Sequence, residues 1–160
     1  MEFDKRLEKA IQRGEKTRES IGQAKSEKAV SEEDLRTLHS KCRLDMSEHI
    51  ESCFRKLSQH FPGFRFQSVV EEAGWGARIN RDDFNRSQGS RGDNLYSRFE
   101  MLVKPFTSTH IIELSTKGTV RNKEVISRNH YQFLSQIDLD SFIELIDLWV
   151  LEYAEKYAAA

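Results

Sequence analysis

The five histidines are the side chains best suited to acid–base chemistry or metal binding. They are His39, His49, His60, His110 and His130. General acid–base catalysis needs paired titratable groups in one cleft, and a metal site on a helix needs ligands one turn apart. The first three histidines fall in one predicted helix, but their spacings of ten and eleven residues do not give that separation. The sequence therefore predicts no catalytic residue, no cofactor and no metal ligand, and an enzyme is not the favoured interpretation.

The chain has two cysteines, Cys42 and Cys53. They are eleven residues apart in the same predicted helix. A rise of about 1.5 Å per residue separates them by about 16 Å, which is too far for a disulfide. We expect both to be buried free thiols.

Residues 80–94 form a polar, glycine-containing segment between two predicted strands. Its arginines are suited to phosphate or an acidic protein, and its aspartates are suited to a cation. These side chains are Arg81, Arg86 and Arg91, and Asp82, Asp83 and Asp93. Their spacing matches no cation-binding loop, and the two charge signs largely cancel. The composition is typical of a long, mobile, solvated loop, which we expect here.

One face of the predicted sheet carries basic and aromatic side chains that are suited to a single nucleic-acid strand. They are Arg65, Arg78, Tyr96, Arg98 and Arg121. Aromatic rings stack on bases and arginines neutralise phosphates. This face offers one aromatic ring, however, and such binders usually show a strongly basic footprint. Nucleic-acid binding is therefore the alternative interpretation and not the favoured one.

The overall charge and hydropathy indicate a soluble cytoplasmic protein. Lys and Arg number 25 and Asp and Glu number 26, so there is no long-range attraction to nucleic acid or to an anionic membrane. Residues 138–160 are clearly acidic, with six acidic side chains and one basic. No stretch approaches the roughly 18 apolar residues that span a bilayer, and the first residues lack the apolar core of a signal peptide. We expect no membrane partner.

The spacing of apolar residues predicts a first helix over about residues 3–26. Alternating spacings of four and three connect Phe3, Leu7, Ala10, Gly14, Thr17, Ile21 and Ala24. Gly14 and Thr17 weaken this row, because Gly costs about 1 kcal/mol of helix stability relative to Ala. Such a helix needs a partner.

A second helix is predicted over residues 31–61. Ser31 and Asp34 resemble a capping box at its start, and Pro62 with Gly63 stops it. Residues 25–30 are short enough to form the turn of a helical hairpin, but they also allow the first helix to extend as an arm. The local pattern does not choose between these two arrangements.

From Phe64 the apolar period becomes two, which predicts an antiparallel meander of four or five strands over residues 64–128. The clearest strand is 95–104, and a turn at Lys117 and Gly118 is expected between strands 109–116 and 119–127. A C-terminal helix over 138–157, capped by Asp138 or Asp140, then covers the apolar face of the sheet. The predicted fold class is α+β, with a helical arm or first hairpin helix at residues 1–30 and an α+β domain at 31–160.

These features favour a non-catalytic protein–protein interaction module, such as an adaptor, a chaperone-like partner or a subunit of a larger assembly. The predicted contact residues on the first helix are Phe3, Leu7, Ile11 and Ile21. Any part of the sheet that the last helix leaves uncovered adds to this surface. The predicted partner is another protein or a second copy of the chain.

Overall fold

The structure, a computed structural model, describes residues 2–84 and 94–160, with side chains at 2–18, 32–82 and 95–160. The elements in chain order are helix α1 (Glu2–His60), strands β1 (Arg65–Glu71), β2 (Gly74–Phe84), β3 (Asn94–Val103), β4 (Ile111–Val120) and β5 (Lys123–Phe133), a 3-10 turn (Leu134–Gln136) and helix α2 (Leu139–Ala159). Residues 1–37 and 38–160 form two separate compact units.

Helix α1 is continuous where the sequence predicts two helices. The sequence leaves open a hairpin turn or an extended arm at residues 25–30; the hairpin turn is wrong, because these residues are helical, and Ser31 lies inside the helix and not at an N-terminus. The segment 25–30 contains neither glycine nor proline, so nothing in it interrupts the bonds from each N–H to the carbonyl four residues earlier. The predicted end is confirmed, because α1 stops at His60 and the chain turns at Gly63 with φ of 102°.

The five strands form one antiparallel meander in the order β1-β2-β3-β4-β5. This arrangement confirms the predicted α+β class. Of the residues of β3 predicted to point inward, Ser97, Phe99, Met101 and Val103 are buried and Leu95 is half-buried. Period-two alternation therefore identified the central strand correctly.

Strands β2 and β3 are longer than the sequence indicates. Their pairing extends to Phe84 and Asn94, so residues 80–84 and 94 belong to strands and the prediction of a loop there is wrong. Backbone hydrogen bonds continue through this polar stretch because they do not depend on side-chain polarity. The rest of the expected loop, residues 85–93, lies outside the described residues.

The predicted turn at Lys117 and Gly118 is also wrong, because β4 runs through both residues to Val120. The turn lies at Arg121 and Asn122, which have φ of 50° and 68°. Gly118 is needed for packing: a Cβ there would lie 2.8 Å from the Tyr153 ring. A glycine that makes room for an aromatic ring has the same local sequence appearance as a glycine in a turn.

Phe99 joins the sheet to both helices. Its ring stacks on Phe54 of α1, with centroids 4.7 Å apart, and on Tyr153 of α2, with centroids 4.2 Å apart. Both helices therefore pack on the face of the sheet that carries Phe99. Because neighbouring strand residues point to opposite faces, Arg98 and Glu100 lie on the other face.

Helix α2 confirms the predicted C-terminal helix. It begins after Asp138, whose side chain makes no capping hydrogen bond; the Asp138 backbone N–H donates to Gln132 Oε1 at 2.7 Å. Arg128 of β5 pairs with Glu152 through two hydrogen bonds of 2.8 and 2.6 Å, which ties α2 to the edge of the sheet. Within the described residues, neither helix has an apolar stretch of the length needed to cross a bilayer.

Candidate functional site

The apolar residues near the start of α1 are exposed. Phe3 is 72% exposed, Leu7 48% and Ile11 52%. Their spacing of four places them along one side of the helix. The fourth predicted contact residue, Ile21, is helical, but its side chain lies outside the described part. We call Phe3, Leu7 and Ile11 the N-terminal stripe.

The charges around the N-terminal stripe balance. Residues 1–37 contain nine basic and nine acidic side chains. All side chains described between residues 2 and 18 are exposed. This helical segment therefore offers apolar side chains in a setting with no net charge to repel an identical helix.

The structure brings together four of the five residues predicted for nucleic-acid binding. Arg65, Arg78, Tyr96 and Arg98 line one shallow depression on the sheet face opposite the helices. Arg121 does not lie in a strand; it lies in the turn between β4 and β5, where its backbone N–H donates to Ser97 Oγ at 3.0 Å.

The arginines of this depression already have acidic neighbours. Glu100 accepts from Arg78 and from Arg98, the latter with Nη2 2.9 Å from Oε2. Arg78 also lies 3.7 Å from Glu71. These ion pairs offset part of the positive charge that would otherwise be available to bind a phosphate backbone. The depression therefore groups the side chains expected for nucleic-acid binding, but its attraction for phosphate is weakened.

A second concave surface lies between the C-terminal part of α1 and helix α2. This groove has a volume of about 590 Å³ and is mostly apolar. Its apolar lining is Leu57, Phe61, Val150, Leu151 and Ala154. Polar residues at the same groove are Cys53, Lys56, His60 and Asp147.

Three polar side chains meet beside this groove, and two of them, Cys53 and Asp147, line it. His49 Nε2 lies 2.7 Å from Asp147 Oδ1 and 3.6 Å from Cys53 Sγ, and Cys53 Sγ lies 3.5 Å from Asp147 Oδ1. We call these residues the His–Cys–Asp cluster. His49 and Cys53 lie one turn apart on α1, and Asp147 comes from α2.

The geometry of the His–Cys–Asp cluster does not suit a cysteine nucleophile. In a catalytic triad the acid orients one imidazole nitrogen while the other takes the proton of the nucleophile. Here Nε2 contacts both Asp147 and Cys53. Burial and the neighbouring Asp147 carboxylate also raise the pKa of Cys53 to about 11, so the thiol stays protonated at neutral pH.

The spacings between histidines do not reveal this cluster. The informative pair in the sequence is His49 and Cys53, four residues apart. Asp147 is 94 residues from Cys53, so only the fold reveals it. The predicted burial of the thiols is confirmed for Cys42, and Cys53 is half-buried.

Three of the other histidines make structural contacts. His39 is buried and its Nε2 donates to the Lys104 carbonyl at 3.2 Å. The His110 carbonyl accepts from the Leu134 N–H at 2.9 Å. His130 packs edge-on against Phe142.

Comparison of the chain with models of protein families, with curated proteins and with solved structures finds no match.

Proposed function

We propose that this chain is a non-catalytic protein–protein interaction module that pairs with a second copy through its N-terminal helix. The observation that carries the proposal is the exposure of Phe3, Leu7 and Ile11 along one side of that helix. Large apolar side chains arranged in this way are typical of helices that bind another helix.

A single exposed helix gains stability when a partner covers its apolar side. Most helical stability in proteins comes from packing an apolar face, and isolated helices gain little from propensity alone. Burying a Leu, Ile or Phe side chain contributes about 1.5–3 kcal/mol, and the N-terminal stripe holds three such side chains. A partner that covers the stripe therefore stabilises the segment substantially.

The charge distribution is compatible with an identical helix as the partner. Nine basic and nine acidic side chains in residues 1–37 leave no net charge, so two copies do not repel each other. Gly14 and Thr17 follow in the same row, where they reduce the buried area. Pairing is therefore expected to be reversible and dependent on concentration.

The edge of the sheet offers a further contact surface. Tyr131 and Phe133 on β5 are 57% and 54% exposed, and their rings contact each other with centroids 6.1 Å apart. β5 is the last strand of the sheet. Exposed aromatic side chains of this kind are enriched at protein interfaces.

The substitution Leu7→Asp tests the role of the stripe. It places a charge where an apolar contact is proposed, so we expect self-association at least about tenfold weaker, since the lost burial exceeds about 1.4 kcal/mol. Light scattering over a concentration series measures the change.

Gln12→Asp is the matched control for this test. It adds the same charge on the same exposed segment, but on the side of the helix away from Leu7. We expect it to leave association unchanged. Equal effects of the two substitutions, or no effect of Leu7→Asp, would overturn the proposal.

A further inference from the structure

The His–Cys–Asp cluster has the separations of a metal site. Zinc takes four ligands in a tetrahedron, with Zn–S of about 2.3 Å and Zn–N and Zn–O of about 2.0–2.1 Å. Those lengths put the sulfur about 3.5 Å from the nitrogen and from the oxygen, and the nitrogen about 3.3 Å from the oxygen. The sulfur separations in the structure are 3.6 Å to His49 and 3.5 Å to Asp147.

We propose that His49 Nε2, Cys53 Sγ and Asp147 Oδ1 bind a zinc ion at the groove between α1 and α2. Only the separation of His49 and Asp147 must change, because these atoms share a hydrogen bond at 2.7 Å. Opening it by about 0.6 Å gives the tetrahedral value.

The fold holds the three ligands in place. His49 precedes the fully buried Ile50, Cys53 precedes the fully buried Phe54, and Asp147 follows the fully buried Ile146. Each ligand therefore stands on a turn of helix that is anchored in the core. Ligands on packed helices keep their positions better than ligands on loops.

The donor set selects the ion. A thiolate and an imidazole favour zinc over magnesium or calcium, which take oxygen ligands. The side chains of His49 and Asp147 are 31% and 51% exposed, so a fourth position faces solvent. A water molecule there completes the tetrahedron, as in zinc sites with three protein ligands.

Binding must displace a proton. The Cys53 thiol, with a pKa of about 11, loses its proton as the sulfur–zinc bond forms, and the proton passes to solvent. His49 binds as the neutral imidazole and Asp147 as the carboxylate. Lys56 lines the same groove, and its positive charge opposes the ion while it favours the thiolate.

Cobalt(II) provides a spectroscopic probe of this site, because it substitutes for zinc and absorbs visible light in tetrahedral sites that contain thiolate. We expect the protein to bind one cobalt ion with a sulfur-to-metal charge-transfer band, and zinc to displace it. Loss of a second-shell partner commonly weakens metal binding about 10–100-fold, so removing a ligand by Cys53→Ser or Asp147→Asn should cost at least as much.

Two control variants distinguish metal binding at the His–Cys–Asp cluster from metal binding by other cysteine or histidine side chains. Cys42→Ala removes the other thiol, and His60→Gln removes the histidine that lines the groove. Both are expected to keep the cobalt spectrum, and circular dichroism checks that every variant folds. The proposal is overturned if the protein binds neither ion, which would leave the cluster an interhelical ion pair only. It is equally overturned if Cys53→Ser retains the charge-transfer band.

Discussion

His39 shows how one buried side chain makes stability depend on pH. Burial lowers its pKa below the ordinary value of 6.5, the nearby Arg43 lowers it further, and the hydrogen bond to the Lys104 carbonyl opposes the shift. The folded state therefore binds a proton at His39 less readily than the unfolded state does. Its contribution to stability is complete above pH 6.5 and is lost as the pH falls from 6.5 toward the lower folded value.

The substitution His39→Gln removes this titration while it keeps an N–H donor for the Lys104 carbonyl. We expect the free energy of unfolding of the variant to fall less than that of the parent below pH 6.5. Urea unfolding at a series of pH values measures the difference. His60→Gln, at an exposed histidine, is the control and should follow the parent. Parallel curves for His39→Gln and the parent would contradict this explanation.

Strand β4 shows how an element depends on a residue far away in sequence. Gly118 gives β4 room against α2, because a Cβ there would lie 2.6 Å from Ile126 Cγ2 and 2.8 Å from the Tyr153 ring. We expect Gly118→Ala to destabilise the protein by about 1–3 kcal/mol, the usual cost of overpacking a core. Urea unfolding followed by tryptophan fluorescence measures this change.

Gly14→Ala is the matched control for the β4 prediction. No atom outside its own helix turn lies within 4 Å of a Cβ at Gly14, and alanine favours the helix. We expect no loss of stability. If both alanines have the same effect, then contact with Tyr153 is not the reason for glycine in β4.

Elements that follow from a local pattern could be predicted from the sequence, whereas features that depend on contacts with distant elements could not. β3 was predictable because its alternation of buried and outward residues is local and complete. The turn between β4 and β5 was not, since the reason for Gly118 lies in Tyr153 on another element. Helix α1 was predicted as two pieces because Ser31 and Asp34 resemble a cap, although the backbone needs none there.

The candidate sites also differ in whether the sequence alone could predict them. The N-terminal stripe follows from spacing alone, so the sequence identified Phe3, Leu7 and Ile11, and the structure shows that they are exposed. The His–Cys–Asp cluster combines residues from two helices that meet in space. The sequence spacing reveals only His49 and Cys53, because Asp147 lies on the other helix. Sites built from distant elements require the fold.

At the scale of the whole molecule, the chain divides into two parts of different composition. Among the side chains that the structure describes, the fully buried ones lie in the unit of residues 38–160, where the sheet and α2 supply most of the core. The unit of residues 1–37 is helical and carries the exposed stripe. The described core belongs to the second unit, whereas the N-terminal stripe on the first unit is exposed.

The molar mass of the unmodified full chain, measured by light scattering over a wide concentration range, tests the proposed pairing most directly. Reversible pairing predicts a mass that rises with concentration from the 18.7 kDa of one chain toward twice that value. A mass that stays at 18.7 kDa across the whole range would contradict it.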